Sequence, residues 1–213
     1  MGNGLPKAIL FDYEVPFLFG KGAFCAAFAH AAKKDESFAK VVRVIVFSGF
    51  YERCNEGDTP FDFLYETAVC SLSERKPYNE KLHEEFTRAW NRYLVINPKV
   101  KKHILAKAQV PIALLAITNP CHALIIEKLV SEKRYFEASY VYVAKPYERH
   151  DTRAAIQRLA KELAVPTNRL LYIGNVAEHE KIARDLHIEV INHKTPWDVS
   201  LLYKQLALFG LVK

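Results

Sequence analysis

The sequence predicts a doubly wound α/β domain, in which a parallel sheet has helices on both faces, with an inserted helical cap subdomain. Three observations predict it: short apolar runs, helical spacing of apolar residues between the last four runs, and a long helix-rich stretch after the first run. A chain of 213 residues is long enough for one main domain with a modest insert, and too short for two full enzymatic domains.

Five apolar runs predict the strands, because each is too brief for a typical helix and suits a strand that is buried on both faces. They are residues 7–11, 110–117, 139–144, 169–173 and 188–192. Strand and helix alternate over the last four runs, which predicts right-handed crossovers and a parallel sheet. The apolar residues at helical spacing are Leu124, Ile125 and Leu129; Ile156, Leu159, Ala160 and Leu163; Ile182, Ala183 and Leu186; and, inward on a terminal helix over about 197–208, Leu201, Leu202 and Leu206.

Residues 20–107 interrupt this alternation and predict the cap, since they carry helical patterns such as Phe24, Cys25 and Phe28. The core domain is then formed by residues 1–19 and 108–213. The run VVRVIVF at 41–47 is rich in β-branched residues that favour a strand, whereas its surroundings favour a helix. We interpret it as a helix.

Composition and charge exclude several classes of protein. Half of the residues are hydrophobic and a quarter are charged, as in ordinary folded domains. The net charge of +6 comes from lysines and arginines spread along the chain, which disfavours nucleic-acid binding and suits a small phosphorylated substrate. No apolar run has the length of a membrane span and the start lacks a secretory pattern, so we expect a cytoplasmic protein, either a monomer or a homodimer.

Polar residues follow four of the five predicted strands. In an open parallel sheet, ligands bind beyond the carboxyl ends of the strands, so these residues are candidates for one common site. In chain order they are Asp12 and Glu14; Thr118 and Asn119; Lys145; and Asn175 with Glu178.

The order of these residues resembles the haloacid dehalogenase (HAD) superfamily, whose four motifs fall at four strand ends. FDYE resembles the first motif, AITN the second, AKP the third and IGNVAEHEKIARDLHI the fourth. The insert between the first and second motifs resembles the helical C1 cap of the phosphatase branch. The resemblance covers nearly the whole chain, and it depends on the order and strand context of the motifs together.

The resemblance implies a phosphomonoesterase that forms a covalent aspartyl-phosphate. Asp12 would be the nucleophile, Glu14 would protonate the leaving oxygen and later activate water, and Lys145 would offset the negative charge. Thr118 and Asn119 would bind the substrate. Magnesium would be the cofactor because it prefers oxygen ligands. Its ligands would be Asp12, the carbonyl of Glu14, Asn175 and Glu178.

Two departures from the family pattern leave an alternative open. Val15 and Pro16 stand where the family usually has Gly-Thr. In the fourth motif the neutral Asn175 stands where the family usually has an aspartate, and His179 stands at the later acidic position. We interpret His179 as a surface or capping residue, and we expect Glu180 to point to solvent. The chain is therefore either a magnesium-dependent phosphatase of a small metabolite or a catalytically impaired member that binds a phosphorylated ligand or a protein.

Overall fold

A five-stranded, all-parallel sheet forms the centre of the described fold, with strand order β5-β4-β1-β6-β7. The computed structural model describes residues 5–18, 40, 84, 94–118, 120–131, 135–143, 150–193 and 198–213. Its strands are β1 (Ala8–Asp12), β2 (Phe17–Leu18), β3 (Val95–Ile96), β4 (Ile112–Thr118), β5 (Ala138–Val143), β6 (Leu170–Gly174) and β7 (Glu189–Asn192). Its α-helices are α1 (Pro98–His103), α2 (Pro120–Ser131), α3 (Thr152–Glu162), α4 (Ala177–Asp185) and α5 (Val199–Leu208). The predicted fold class is confirmed, and all five predicted sheet strands are present.

Strand β1 is the central strand, and every one of its residues is buried. Its side chains alternate between the two faces of the sheet, as the period of two requires. Ile9 and Phe11 belong to a core cluster with residues of α1, α2 and α5, whereas Leu10 belongs to a second cluster with residues of α3 and α4. Helices therefore cover both faces of the sheet, which explains why its strands read as continuous apolar runs.

Side-chain caps start two of the helices that cover the sheet. Asp151 accepts a hydrogen bond from the backbone N–H of Ala154 at 2.9 Å, and Asp198 accepts one from that of Leu201 at 3.0 Å. Each cap satisfies a backbone donor that the first turn of a helix leaves without an intrahelical partner. Their positions set the starts of α3 and α5.

The helical spacing assigned one leucine of the terminal helix to the wrong side. Leu201 is 51 % exposed, so the prediction that it points inward is wrong, and Leu124 of α2 is 70 % exposed. Val199, Leu202 and Leu206 are the buried positions of α5. Because successive residues of a helix lie about 100° apart, a neighbour of a buried position can face solvent.

The chain leaves and re-enters the core through a short antiparallel pair of strands, β2 with β3. The backbone N–H of Asn97 also donates to the carbonyl of Pro16 at 2.8 Å, so the two connections are held together. Most of the predicted cap, including residues 41–47, lies outside the described residues. The cap and its boundaries therefore stay predictions. Val100 and Ile104, within the predicted insert, pack into the core cluster.

Among the described residues, we find no helix with both the length and the apolar character that crossing a membrane would require.

The burial of β4 predicts a large difference between two leucine-to-alanine substitutions. Leu114 is fully buried in the sheet, whereas Leu124 is largely exposed. We expect Leu114→Ala to lower the free energy of unfolding by about 2–5 kcal/mol, because it removes buried methyl groups and leaves a cavity. The matched control, Leu124→Ala, should change it by less than about 0.5 kcal/mol. Urea unfolding followed by circular dichroism measures both values, and equal losses would contradict the assigned sheet.

Candidate active site

Asp12 is a buried carboxylate at the carboxyl end of the central strand, with only 1 % of its surface exposed. A charge removed from water must be compensated by hydrogen bonds or by an opposite charge. Tyr172 donates its hydroxyl to Asp12 Oδ2 at 2.8 Å, and His179 Nδ1 lies 2.6 Å from the same oxygen. The two partners therefore hold one oxygen of the carboxylate in place.

Tyr172 reaches Asp12 from the neighbouring strand β6, where it pairs in register with Leu10. Its side chain passes over Gly174, and a Cβ added at that glycine would lie 2.6 Å from the ring carbon Cζ of Tyr172. The glycine is thus required by this close approach. Burial, followed by the negative charge of Asp12, raises the pKa of Tyr172, so its hydroxyl remains a donor.

His179 lies in the first turn of α4 and is buried, so its interpretation as a surface or capping residue is wrong. Its ring meets that of His150 edge to face, with 5.9 Å between the ring centroids. Nε2 of His150 is 2.7 Å from the hydroxyl oxygen of Thr152. Burial, and then the charge of His179, lower the pKa of His150. The position of His179, four residues before the buried Ala183, was the sequence signal for its inward orientation.

Glu14 is half-buried beside Asp12, in the turn that follows β1. Burial, followed by the negative charge of Asp12, raises its pKa from 4.5 to about 7. A hydrogen bond from the side chain of Asn175 and the charge of His179 act in the opposite direction. Glu14 therefore changes its protonation state near neutral pH. A residue that both donates and accepts protons during a reaction needs this property.

The backbone after Asp12 forms a tight turn despite Val15 and Pro16. The N–H of Val15 donates to the carbonyl of Asp12 at 3.0 Å, and that of Phe17 to the carbonyl of Tyr13 at 3.3 Å. Val15 is part of the buried core cluster. The departure from the family pattern thus gives an ordered turn that presents Glu14 beside Asp12.

Thr118 ends β4, the strand next to β1, and is fully buried. Its hydroxyl oxygen has no hydrogen-bond partner within the part of the chain that the structure describes. A buried hydroxyl without a partner is costly, which is consistent with a ligand that accepts from it. Asn119 and Lys145 lie outside the described residues. Strand β5 ends at Val143, paired in register with Thr118, so the chain leaves β5 at the same edge of the sheet.

Two of the predicted magnesium ligands, Asn175 and Glu178, are exposed side chains. Glu180 is buried rather than directed to solvent, a correction to its interpretation, and it accepts hydrogen bonds from Asn192 and Arg184. Over the described ranges no cluster of three or more His, Cys, Asp or Glu residues could hold a metal ion. This donor set fits magnesium poorly.

Comparisons with known proteins bear on the fold. No protein-family model matches the sequence, and no curated protein matches it either. Solved structures do match. A HAD family enzyme from Bacteroides thetaiotaomicron, in complex with magnesium and inorganic phosphate, has a TM-score of 0.52 at 17 % identity, covering 92 % of this chain and 98 % of that one. A predicted HAD-like hydrolase from Porphyromonas gingivalis has a TM-score of 0.55 at 13 % identity, covering 95 % and 98 %. The chain has a HAD-like fold.

L-2-haloacid dehalogenase from Xanthobacter autotrophicus shares this fold as well, with a TM-score of 0.53 at 17 % identity over 95 % of this chain and 83 % of that one. The HAD-like fold is thus common to proteins of different chemistry, and the reaction must be inferred from the site. In the HAD-like fold of this chain, Asp12, Glu14, Thr118, Asn175 and His179 lie at or next to the carboxyl ends of β1, β4 and β6.

The raised pKa of Glu14 predicts how stability depends on pH. The folded protein holds this proton up to about pH 7, whereas the unfolded chain loses it near 4.5. The stabilisation is therefore complete below about pH 4.5 and is lost as the pH rises through about 7. The glutamine of Glu14→Gln has no charge to lose or gain. Above about pH 7 we therefore expect this variant to exceed the wild type in free energy of unfolding by at most about 3 kcal/mol. Below about pH 4.5 the wild type and the variant should have similar stability.

Urea unfolding at a series of pH values measures this difference. Glu178→Gln, at an exposed position of the same edge, serves as the matched control. A difference between Glu14→Gln and wild type that stays constant with pH would contradict the assigned environment of Glu14.

Proposed function

We propose that this chain is a HAD-like hydrolase that cleaves phosphate monoesters of small molecules through an aspartyl-phosphate intermediate. The observation that carries the proposal is the pair Asp12 and Glu14: a buried carboxylate held through one oxygen, beside a second carboxyl group whose pKa is about 7. The other oxygen of Asp12 is then the attacking atom.

The reaction has two steps. In the first, an oxygen of Asp12 bonds to phosphorus, the ester P–O bond breaks, and protonated Glu14 gives its proton to the leaving oxygen. In the second, ionised Glu14 takes a proton from water, whose oxygen bonds to phosphorus while the aspartyl P–O bond breaks and phosphate departs. A group with a pKa near 7 is present in both forms at neutral pH, as these two roles require.

The hydroxyl of Thr118 supports a phosphoryl site at the same edge of the sheet. It is buried and lacks a partner among the described residues, so it can donate to a phosphoryl oxygen. We assign Asn119 to substrate binding and Lys145 to charge compensation, as the resemblance implies. The cap over residues 20–107 would then set the choice of the small phosphorylated substrate.

Magnesium is not part of the proposed steps. The enzyme from Bacteroides thetaiotaomicron was crystallised with magnesium and phosphate, and the sequence predicts the ion here too. In this chain, however, Oδ2 of Asp12 already accepts hydrogen bonds from Tyr172 and His179. The protein side chains therefore carry each proposed step.

One observation favours a second candidate, a non-catalytic module that binds a phosphorylated ligand. Asp12 is almost completely buried, and His179 and Tyr172 already occupy one of its oxygens. A site of this kind could accept a phosphate group without attacking it. Turnover by the wild type distinguishes the two functions.

Asp12→Asn tests the nucleophile. With p-nitrophenyl phosphate we expect kcat/KM to fall by about 1000-fold or more, because an amide oxygen cannot form the acyl-phosphate. The matched control is Asp185→Asn, which removes an exposed carboxylate from α4 and its 3.6 Å pair with Arg153 and should leave turnover unchanged. Intact-mass measurement after acid quenching should show one added phosphoryl group in the wild type and none in Asp12→Asn.

Full activity in Asp12→Asn would refute the aspartyl-phosphate. Absence of turnover in the wild type, together with saturable binding of inorganic phosphate in calorimetry, would establish the binding module instead.

A further inference from the structure

A residue of the fourth motif, His179, places a ring nitrogen beside the carboxylate of Asp12. At this place the resemblance implies a metal ion that is held by carboxylates. Nδ1 of His179 is 2.6 Å from Asp12 Oδ2, and both side chains are buried. A carboxylate oxygen only accepts hydrogen bonds, so Nδ1 must carry the hydrogen. His179 is therefore a donor to Asp12, and in this role it does what a cation bound to that oxygen would do.

We propose that His179 and Tyr172 together replace the divalent cation at Asp12, so that this site needs no magnesium. This inference rests on the proposed function for its catalytic meaning, and on the geometry of Asp12 for its physical basis. His179 and Tyr172 are positioning residues, since they act on the substrate only through the carboxylate of Asp12.

The two donors and a metal ion would compete for the same oxygen. Magnesium binds carboxylate oxygens at about 2.0–2.1 Å and requires nearly octahedral geometry. The donor atoms of His179 and Tyr172 stand 2.6 Å and 2.8 Å from Asp12 Oδ2 and point their hydrogens, which carry positive partial charge, at it. A cation on this oxygen would have to displace at least one of them.

Packing opposes such a displacement. The ring of His179 is packed against His150, which is itself within hydrogen-bond distance of Thr152. Tyr172 is fully buried and fits against the position of Gly174, where a Cβ would overlap its hydroxyl. The donors are therefore preorganised by the surrounding core, as groups that act on a reacting carboxylate need to be.

The other side chains of the fourth motif do not face Asp12 as a ready set of oxygen ligands. Glu180 accepts hydrogen bonds from Asn192 and Arg184, and the side chains of Asn175 and Glu178 are exposed. The hydrogen bonds to Asp12 instead fix the carboxylate and offset its charge when a phosphate approaches. These are the orienting and electrostatic tasks of a catalytic metal ion.

Metal binding by the 213-residue chain tests this independently of turnover. Magnesium chloride is titrated in a calorimeter, and melting temperatures are compared in EDTA and in excess magnesium. We expect no saturable heat and no shift for the wild type. His179→Asp places a second carboxylate against Asp12, so it should melt lower in EDTA, bind magnesium, and gain roughly 5 °C or more when the ion saturates it.

Two variants control for the loss of the ring. His179→Asn keeps a side-chain N–H near the position of Nδ1 without adding charge, and it should not respond to magnesium. His187→Asp makes the charge change of His179→Asp at an exposed residue near the opposite edge of the sheet, with a positive φ of 59° that Asp tolerates. It should not respond either. If His179→Asp folds poorly, refolding it with and without magnesium measures the same response.

Activity toward p-nitrophenyl phosphate supplies the second readout. Wild-type turnover should be equal in EDTA and magnesium. His179→Ala should lose about 100-fold in kcat/KM, and His179→Asn should recover part of it. Turnover by His179→Asp should require magnesium. If His179 had a purely structural role, replacing it by aspartate would not make turnover dependent on magnesium.

Saturable magnesium binding by the wild type, or wild-type turnover abolished by EDTA and restored by magnesium, would overturn the proposal. A His179→Asp variant with no magnesium response would overturn it too, because the imidazole would not then stand in a cation's place. A wild type without turnover in any condition refutes the proposed function alone, since calorimetry and melting still decide whether His179 excludes the ion.

Discussion

The site depends on one constraint, the burial of the Asp12 carboxylate at the end of the central strand. A buried negative charge is stable only when donors or cations compensate it. Here the donors come from the adjacent strand β6, through Tyr172, and from the helix that follows it, through His179. Gly174 then has to lack a side chain, because Tyr172 fills that space. Each of these features follows from satisfying one carboxylate.

The topology explains why the chemistry gathers at β1. This strand is the first in the chain, yet it lies between β4 and β6, so the chain winds outward from it in both directions. Ligands of doubly wound sheets bind at such a switch point, beyond the carboxyl ends of the strands. Asp12 and Thr118 end neighbouring strands there. The pKa of Glu14 is raised because its carboxyl group is partly buried and lies beside the negative charge of Asp12.

Local sequence patterns were reliable where burial is nearly uniform along an element. The predicted runs 7–11 and 169–173 are strands 8–12 and 170–174, because a strand covered on both faces must be apolar throughout. Patterns were weaker where only one side of an element is covered. Leu124 and Leu201 face solvent, and His179 and Glu180 are buried, because the neighbours that decide this are distant in sequence. The roles of Asn119 and Lys145, which lie outside the described residues, stay predictions.

The sequence by itself determined the alternation of strand and helix, and hence the parallel sheet and the edge at which Asp12, Glu14 and Thr118 would meet. These follow from apolar periodicity and from residues next to one another in the chain. Only the tertiary structure decided what surrounds the carboxylate. The contact between Asp12 and His179 joins residues 167 positions apart. Whether an imidazole or a cation compensates that charge depends on how a helix packs on the sheet, which local periodicity does not encode.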